Sequence, residues 1–218
     1  MELFQVWHEI NNSLTAVNLT LEFLQRSGAE ISPIELQDEI KFSLESLDYV
    51  KHVIQFASEQ AQNIDVLAVI ESVSAILKRK WPNFELQLIK KYADWEVYGH
   101  KTAMVQVFMN LIANAIESYE NEPLGSKLRV KVTLKKAKND GIEVRIRDWG
   151  RGVPNSAKDH IFEEFFTLKK DRGGSGIGLA LCKKIVEEEF RGKLSFTSEV
   201  GKGSEFKVTL PFRKSNLD

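Results

Sequence analysis

Hydrophobic positions near the start of the chain recur every seven residues. Leu3, Ile10, Val17 and Leu24 form one line, with Val6, Leu14 and Leu21 on the neighbouring seam, the stripe of a helix packed in a bundle. Ser27 and Gly28 loosen its end, and Ser32-Pro33 followed by Glu35 starts another helix with proline in its first turn. A second stripe runs through Leu36, Ile40, Leu44, Leu47, Val50 or Lys51, Ile54 and Ala57. The two predict an antiparallel helical hairpin. Two helices with one apolar face each cannot enclose a core, so the hairpin is expected to pair about a two-fold axis into a four-helix bundle, making the protein a homodimer.

Between Gln60 and Asp65 the seven-residue pattern lapses, and a mixed pattern follows. Val66 to Lys80 reads as an amphipathic helix ending before Trp81-Pro82. Phe84, Leu86 and Leu88 alternate with polar residues as in a half-buried strand, and a long helix runs through Met104 to Tyr119. Leu128 to Lys136 and Ile142 to Asp148 flank a turn at Lys138 to Gly141, predicting a hairpin. Gly176 to Glu189 reads as helix, and Leu194 to Ser198 and Glu205 to Leu210 as a last hairpin around Gly201 to Gly203. Consecutive hairpins with segregated helices predict an α+β sandwich with helices on one face of a mainly antiparallel sheet.

Composition narrows the classes. The 218 residues carry 30 Lys and Arg against 31 Asp and Glu, which gives no footprint for nucleic acid. No apolar run reaches the ~18–20 residues of a membrane span, and no signal peptide is visible, so no direct membrane insertion is expected and the chain is placed in the cytoplasm. The single cysteine, Cys182, sits among apolar neighbours and reads as a core thiol.

Chemistry concentrates in four later strings. Asn110 and Asn114, four apart on one helix, share a face with Glu117. Their amide oxygens suit a magnesium ion also held by phosphates and waters, the alternative being a buried amide pair that caps a loop. In Asp148-Trp149-Gly150-Arg151-Gly152, a carboxylate at a strand end can accept from an exocyclic amine, and the glycines let the backbone approach a planar ring, which fits adenine. Gly174, Gly176 and Gly178 lead into a helix start, where backbone N–H groups receive phosphate. Phe162, Phe165 and Phe166, followed by Thr167, Lys169, Lys170 and Arg172, read as an aromatic anchor before a cationic lid, with simple core as the other reading of Phe162.

His8-Glu9-Ile10-Asn11-Asn12-Ser13-Leu14-Thr15 resembles the phosphoacceptor box of two-component sensor histidine kinases, and the later strings resemble that family's asparagine, glycine and phenylalanine boxes. The resemblance runs to the G-x-G-[ST]-x-F-x-x-x-L-P string of Gly201 to Pro211. It implies a dimerisation and histidine-phosphotransfer domain over 1–62 and, over 63–218, an ATP-binding domain of the histidine kinase, gyrase, Hsp90 and MutL type. By resemblance His8 is the phosphorylated histidine, Asn110 and Asn114 bind Mg²⁺, and Asp148 binds adenine. Gly150 and Gly152 belong to the first glycine box, and Gly174, Gly176, Ile177, Gly178 and Leu179 to the second, with Phe162, Thr167, Lys169 and Arg172 completing the nucleotide site. The implied activity is ATP-dependent phosphorylation of His8 and transfer to an aspartate on the receiver domain of a response regulator. Glu9 can accept a hydrogen bond from the other ring nitrogen of His8, and Asn12, one turn on, matches the family position tied to dephosphorylation of that partner.

Three departures stand out. Ser13 replaces the usual proline. Only seven residues precede His8, so sensing is expected from a domain outside this stretch or from a separate subunit. Glu117 stands where many members of that family carry a basic residue. Alternative functions are a dimeric phosphotransfer protein without catalysis and an ATP-driven conformational switch.

Overall fold

Asp65 starts the first helix of the mixed region because its carboxylate caps it: Oδ1 accepts from Leu67 N at 2.9 Å and Ala68 N at 3.1 Å. The computed structural model describes residues 59–91, 95–119, 125–138, 140–169 and 176–212, together with positions 15, 17, 18, 21, 22, 32, 36, 40, 43, 47 and 123. By its contacts the chain divides into two units, Met1–Glu59 with Ile161–Ala180, and Gln60–His160 with Leu181–Asp218.

The second unit is an α+β sandwich. Strand β1 (Gln62–Asp65) leads into α1 (Val66–Lys80), which ends before Trp81-Pro82 with Lys78, Arg79 and Lys80 in its last turn, where cations complement the helix dipole. Strands β2 (Phe84–Lys90) and β3 (Glu96–Gly99) precede α2 (Lys101–Glu117), and β4 (Leu128–Ala137) and β5 (Gly141–Asp148) form the expected hairpin. After α3 (Gly178–Lys184), β6 (Lys193–Glu199) and β7 (Gly203–Pro211) pair as the last one.

The main sheet has the order β2-β4-β5-β7-β6, with β2 parallel to β4 and the other pairs antiparallel. Alternation sorts its faces. Val130, Val132 and Leu134 on β4, Val144 and Ile146 on β5 and Val208 on β7 are fully buried on the side where α1 and α2 pack. The odd-numbered neighbours on these strands point the other way.

Two features depart from the sequence expectation. β1 pairs antiparallel with β3 as a separate ribbon, where the sequence shows only a lapse of pattern. The helix expected over Gly176 to Glu189 holds α-geometry only to Lys184, then widens over Ile185–Glu189. There Phe190 N reaches Ile185 O at 3.2 Å. The wide turn brings Glu189 Oε1 to 2.5 Å from His100 Nδ1. It also lays the Phe190 ring over Gly99, where a Cβ would sit 2.4 Å from the ring.

In the first unit, Thr15, Val17, Asn18, Leu21 and Glu22 are helical, as are Leu36, Ile40, Ser43 and Leu47. These positions fall within both predicted helices; the hairpin turn and the bundle lie outside the described residues.

Candidate nucleotide site

The end of β5 places Asp148 on the inner face of the sheet, only 1% exposed. Its Oδ1 accepts three bonds: from Gly150 N at 2.9 Å, Ser118 Oγ at 3.0 Å and Ser204 N at 3.1 Å. No protein donor reaches Oδ2 among the described residues. Burial pushes the carboxyl above its ordinary value, and the donors from Gly150, Ser118 and Ser204 oppose that shift without cancelling it. The result is a buried carboxylate fixed by one oxygen, with the other still able to accept.

The loop after Asp148 is held by close backbone contact. A Cβ on Gly150 would fall 2.0 Å from Ser118 Oγ and 2.5 Å from Ser118 O, because Arg151 N bonds Ser118 O at 3.0 Å. Gly152 adopts φ +71°, and a Cβ there would lie 2.2 Å from Glu199 O. Both glycines of the first box therefore serve the packing of this loop against the end of α2 and against β6.

Two hydroxyls that sequence reasoning missed organise the same corner. Ser118, just past α2, bonds Asp148, and the Tyr119 hydroxyl donates to Arg129 O at 2.6 Å while accepting from Trp149 N at 2.8 Å. Burial raises the Tyr119 phenol above its ordinary value. The visible signal was only a Ser-Tyr pair beginning four residues after Asn114; its meaning depends on where the helix ends. Tyr119→Phe strands the Trp149 N–H and deprives the Arg129 carbonyl, so the unit should lose about 1–3 kcal/mol, read as a lower urea midpoint.

Asn110 and Asn114 lie half-buried along α2, with Glu117 further along the same helix. The Asn110 amide lies beside the Cys182 thiol, a weak acceptor, and its buried Nδ2 makes no hydrogen bond of ordinary geometry, so a ligand oxygen would satisfy it better. Cys182 is the core thiol expected: fully buried, its Sγ 3.7 Å from Val107 O, and pushed up to about 12 by burial. No cluster of three His, Cys, Asp or Glu side chains suited to a metal exists among the described residues. Any cation here would take amide oxygens, with phosphates and water.

In the first unit, Phe162 is half-buried and Phe165, with φ +65°, is 52% exposed. Thr167 Oγ1 accepts from Lys169 N at 3.0 Å. Gly176, at φ +71°, packs directly on this segment: a Cβ would sit 2.4 Å from the Phe165 carbonyl carbon and 2.7 Å from Phe166 N. The second glycine box thus abuts the phenylalanine box through bare backbone. Ile177, Gly178 and Leu179 follow, half-buried, with Gly178 opening α3. His8, Glu9, Asn12, Lys170, Arg172 and Gly174 lie outside the described residues, and no helix among the described ones is long and apolar enough to cross a membrane.

Residues 99–214 match the family described as histidine kinase-, DNA gyrase B-, and HSP90-like ATPase. The chain is 31% identical over 221 residues to the adaptive-response sensory-kinase SasA of Prochlorococcus marinus, covering 96% of this chain and 57% of that one. The chain spans about half the length of the curated relatives it matches. Among solved structures, the mycobacterial sensor histidine kinase MprB superimposes with a TM-score of 0.60 at 26% identity, over 71% of this chain and 99% of that one. Histidine kinase ThkA, solved in complex with the response regulator protein TrrA, gives 0.59 at 25% identity, over 96% and 60%. With a matched region that takes in α2, the Asp148 loop and the closing strands, the chain belongs to the family of histidine kinase-, DNA gyrase B- and HSP90-like ATPases.

Proposed function

We propose that this chain is the catalytic core of an ATP-dependent protein histidine kinase that phosphorylates His8 and passes the phosphoryl group to an aspartate of a response regulator. The observation that carries the nucleotide reading is Asp148: a carboxylate 1% exposed, with three donors on Oδ1 and, among the described residues, none on Oδ2. A buried acceptor with one uncommitted oxygen complements the adenine amine. The likeness to named sensor kinases supports the histidine reading, and the ThkA complex with TrrA supports the choice of acceptor.

In this reading Asp148 orients adenine. The buried Nδ2 of Asn110 donates to a phosphate oxygen, and Asn114 offers an amide oxygen to Mg²⁺. Bound there, Mg²⁺ would neutralise charge on the phosphates during transfer. Thr167, Lys169, Arg172, Gly174, Gly176 and Gly178, matched by sequence to the family's phosphate-binding strings, would serve the phosphates. A neutral imidazole nitrogen of His8 takes the γ-phosphoryl group in line as the bond to the bridging oxygen breaks and ADP leaves. Glu9 holds the other ring nitrogen and so selects the tautomer, and Asn12 positions water for dephosphorylating the partner.

Domains over 1–62 and 63–218 and a homodimer complete the proposal. Leu21, Leu36, Ile40 and Leu47, all on the predicted stripes, are 50%, 40%, 46% and 44% exposed in the single chain. A second copy would cover such a seam. Sensing then comes from a domain or subunit outside this stretch.

Incubation with γ-labelled ATP and Mg²⁺ tests the proposal. Wild type should acquire label that is acid-labile and alkali-stable, and His8→Ala should acquire none. Label that persists in His8→Ala, or its absence from wild type that binds ATP, rejects the kinase reading.

A further inference from the structure

The outer face of the main sheet, opposite the helices, is cationic. Lys91, Lys131, Lys135, Arg145, Arg147 and Trp149 line a shallow concavity of about 400 Å³ there. Its acids are already committed. Glu143 Oε1 lies 3.0 Å from Lys135 Nζ and 2.6 Å from Arg145 Nε, and Glu205 Oε1 lies 2.9 Å from Arg145 Nη1. Lys91, Lys131 and Arg147 form no ion pair among the described residues.

Lys131 and Arg147 also stand directly opposite each other in the β4–β5 register, a like-charged cross-strand pair that costs stability. Beside them Trp149 is 43% exposed, its ring flanked by the Arg129 and Arg147 guanidinium groups at 5.9 and 5.7 Å from its centroid. An exposed tryptophan framed by unneutralised cations is an arrangement that an anionic, partly apolar partner would stabilise.

We propose that this face docks an acidic segment of a partner protein, with carboxylates on Lys91, Lys131 and Arg147 and an apolar side chain against Trp149. The dimensions favour a polypeptide over a small anion. The cations without acidic partners come from three adjacent strands spaced ~4.8 Å apart, with ~6.6 Å between alternate residues of one strand: Lys91 just past β2, Lys131 within β4, and Arg147 near the end of β5, where it also donates to Lys202 O. No single carboxylate or phosphate touches them all. The net charge favours a protein over nucleic acid: at −1 overall, the chain lacks the field that gathers a polyanion. Local charge complementarity suffices for an acidic segment.

The test titrates the full chain with a fluorescein-labelled peptide of glutamates interspersed with leucine, beside a lysine peptide of equal length, a single-stranded DNA oligonucleotide and phosphatidylserine vesicles. The acidic peptide should bind, more weakly as salt rises from low to physiological. The Lys91→Glu, Lys131→Glu double variant should weaken it roughly tenfold or more while still binding ATP. Lys131→Gln alone should weaken it less, and provides the test should the double reversal fail to fold. Failure of the acidic peptide to bind, indifference of its binding to these substitutions, or tighter binding of the oligonucleotide or vesicles would each overturn the proposal.

Discussion

Asp148→Asn should weaken ATP binding roughly a hundredfold, about 3 kcal/mol, while tightening GTP binding. The amide keeps an oxygen for the donors of Ser118, Gly150 and Ser204. In the proposed site it places an N–H₂ where the uncommitted carboxylate oxygen would face the adenine amine, so two donors meet. Guanine carries a carbonyl at that position, which two facing acceptors disfavour with the carboxylate and which can accept from the amide N–H₂. Calorimetric titration with both nucleotides reads the difference, with a thermal melt to show that the variant folds. ATP affinity within about threefold of wild type would reject adenine recognition by Asp148. The same side chain gives two opposed pH dependences. Its carboxyl is raised above the ordinary 3.8 by burial. Between 3.8 and the raised value the folded chain holds a proton that the unfolded chain has released. Its contribution to stability is therefore full below that window and falls as pH rises through it. ATP affinity, which in the proposed site needs the carboxylate, should rise through the same window. Asparagine should abolish both slopes.

What made Asp148 legible in the sequence was its position at the end of an alternating run, followed at once by glycines. The β4–β5 and β6–β7 hairpins were readable for the same reason: their turns are local, and inward Val and Ile alternate with outward Lys, Arg and Glu. The parallel pairing of β2 with β4 was not, because alternation marks a strand without naming its neighbour. The β1–β3 ribbon was missed since Gln62–Asp65 and Glu96–Gly99 have four residues each, and β1 buries only Ile64. Too short to show a period, they are fixed by each other across more than thirty residues. Ser118 and Tyr119 were hidden for a different reason. A hydroxyl just past a helix acquires its role from the strand end beside it, here 30 residues away. The Asn-x-x-x-Asn spacing revealed a face of α2 but not that Asn110 would lie against Cys182.

Gly152→Ala and Gly201→Ala separate the two demands that a glycine can meet, and the first should be among the most damaging single substitutions in the second unit. Both residues have φ in the left-handed region, +71° and +76°, so alanine costs about 1–2 kcal/mol of backbone strain at either. At Gly201 nothing lies within 4 Å of the added Cβ, and strain is the whole effect. At Gly152 the methyl would meet Glu199 O at 2.2 Å and Glu199 C at 2.8 Å. Both are backbone atoms of β6, so no side chain can swing aside, and the added overpacking is about 1–3 kcal/mol. Relieving it means moving the loop away from β6, which disturbs Gly201 N→Arg151 O at 2.8 Å and Val153 N→Ser198 Oγ at 2.8 Å. The expected melting temperature of Gly152→Ala is lower than wild type by roughly 5–15 °C, and of Gly201→Ala by about 3–6 °C. ATP affinity discriminates further. The Gly152 loop begins at Asp148, so that variant should also bind ATP more weakly, whereas Gly201→Ala should bind it as wild type does. Equal melting temperatures for the two variants would show that the loop yields without cost, and that the closeness of Gly152 to β6 does not hold the Asp148 carboxylate in place.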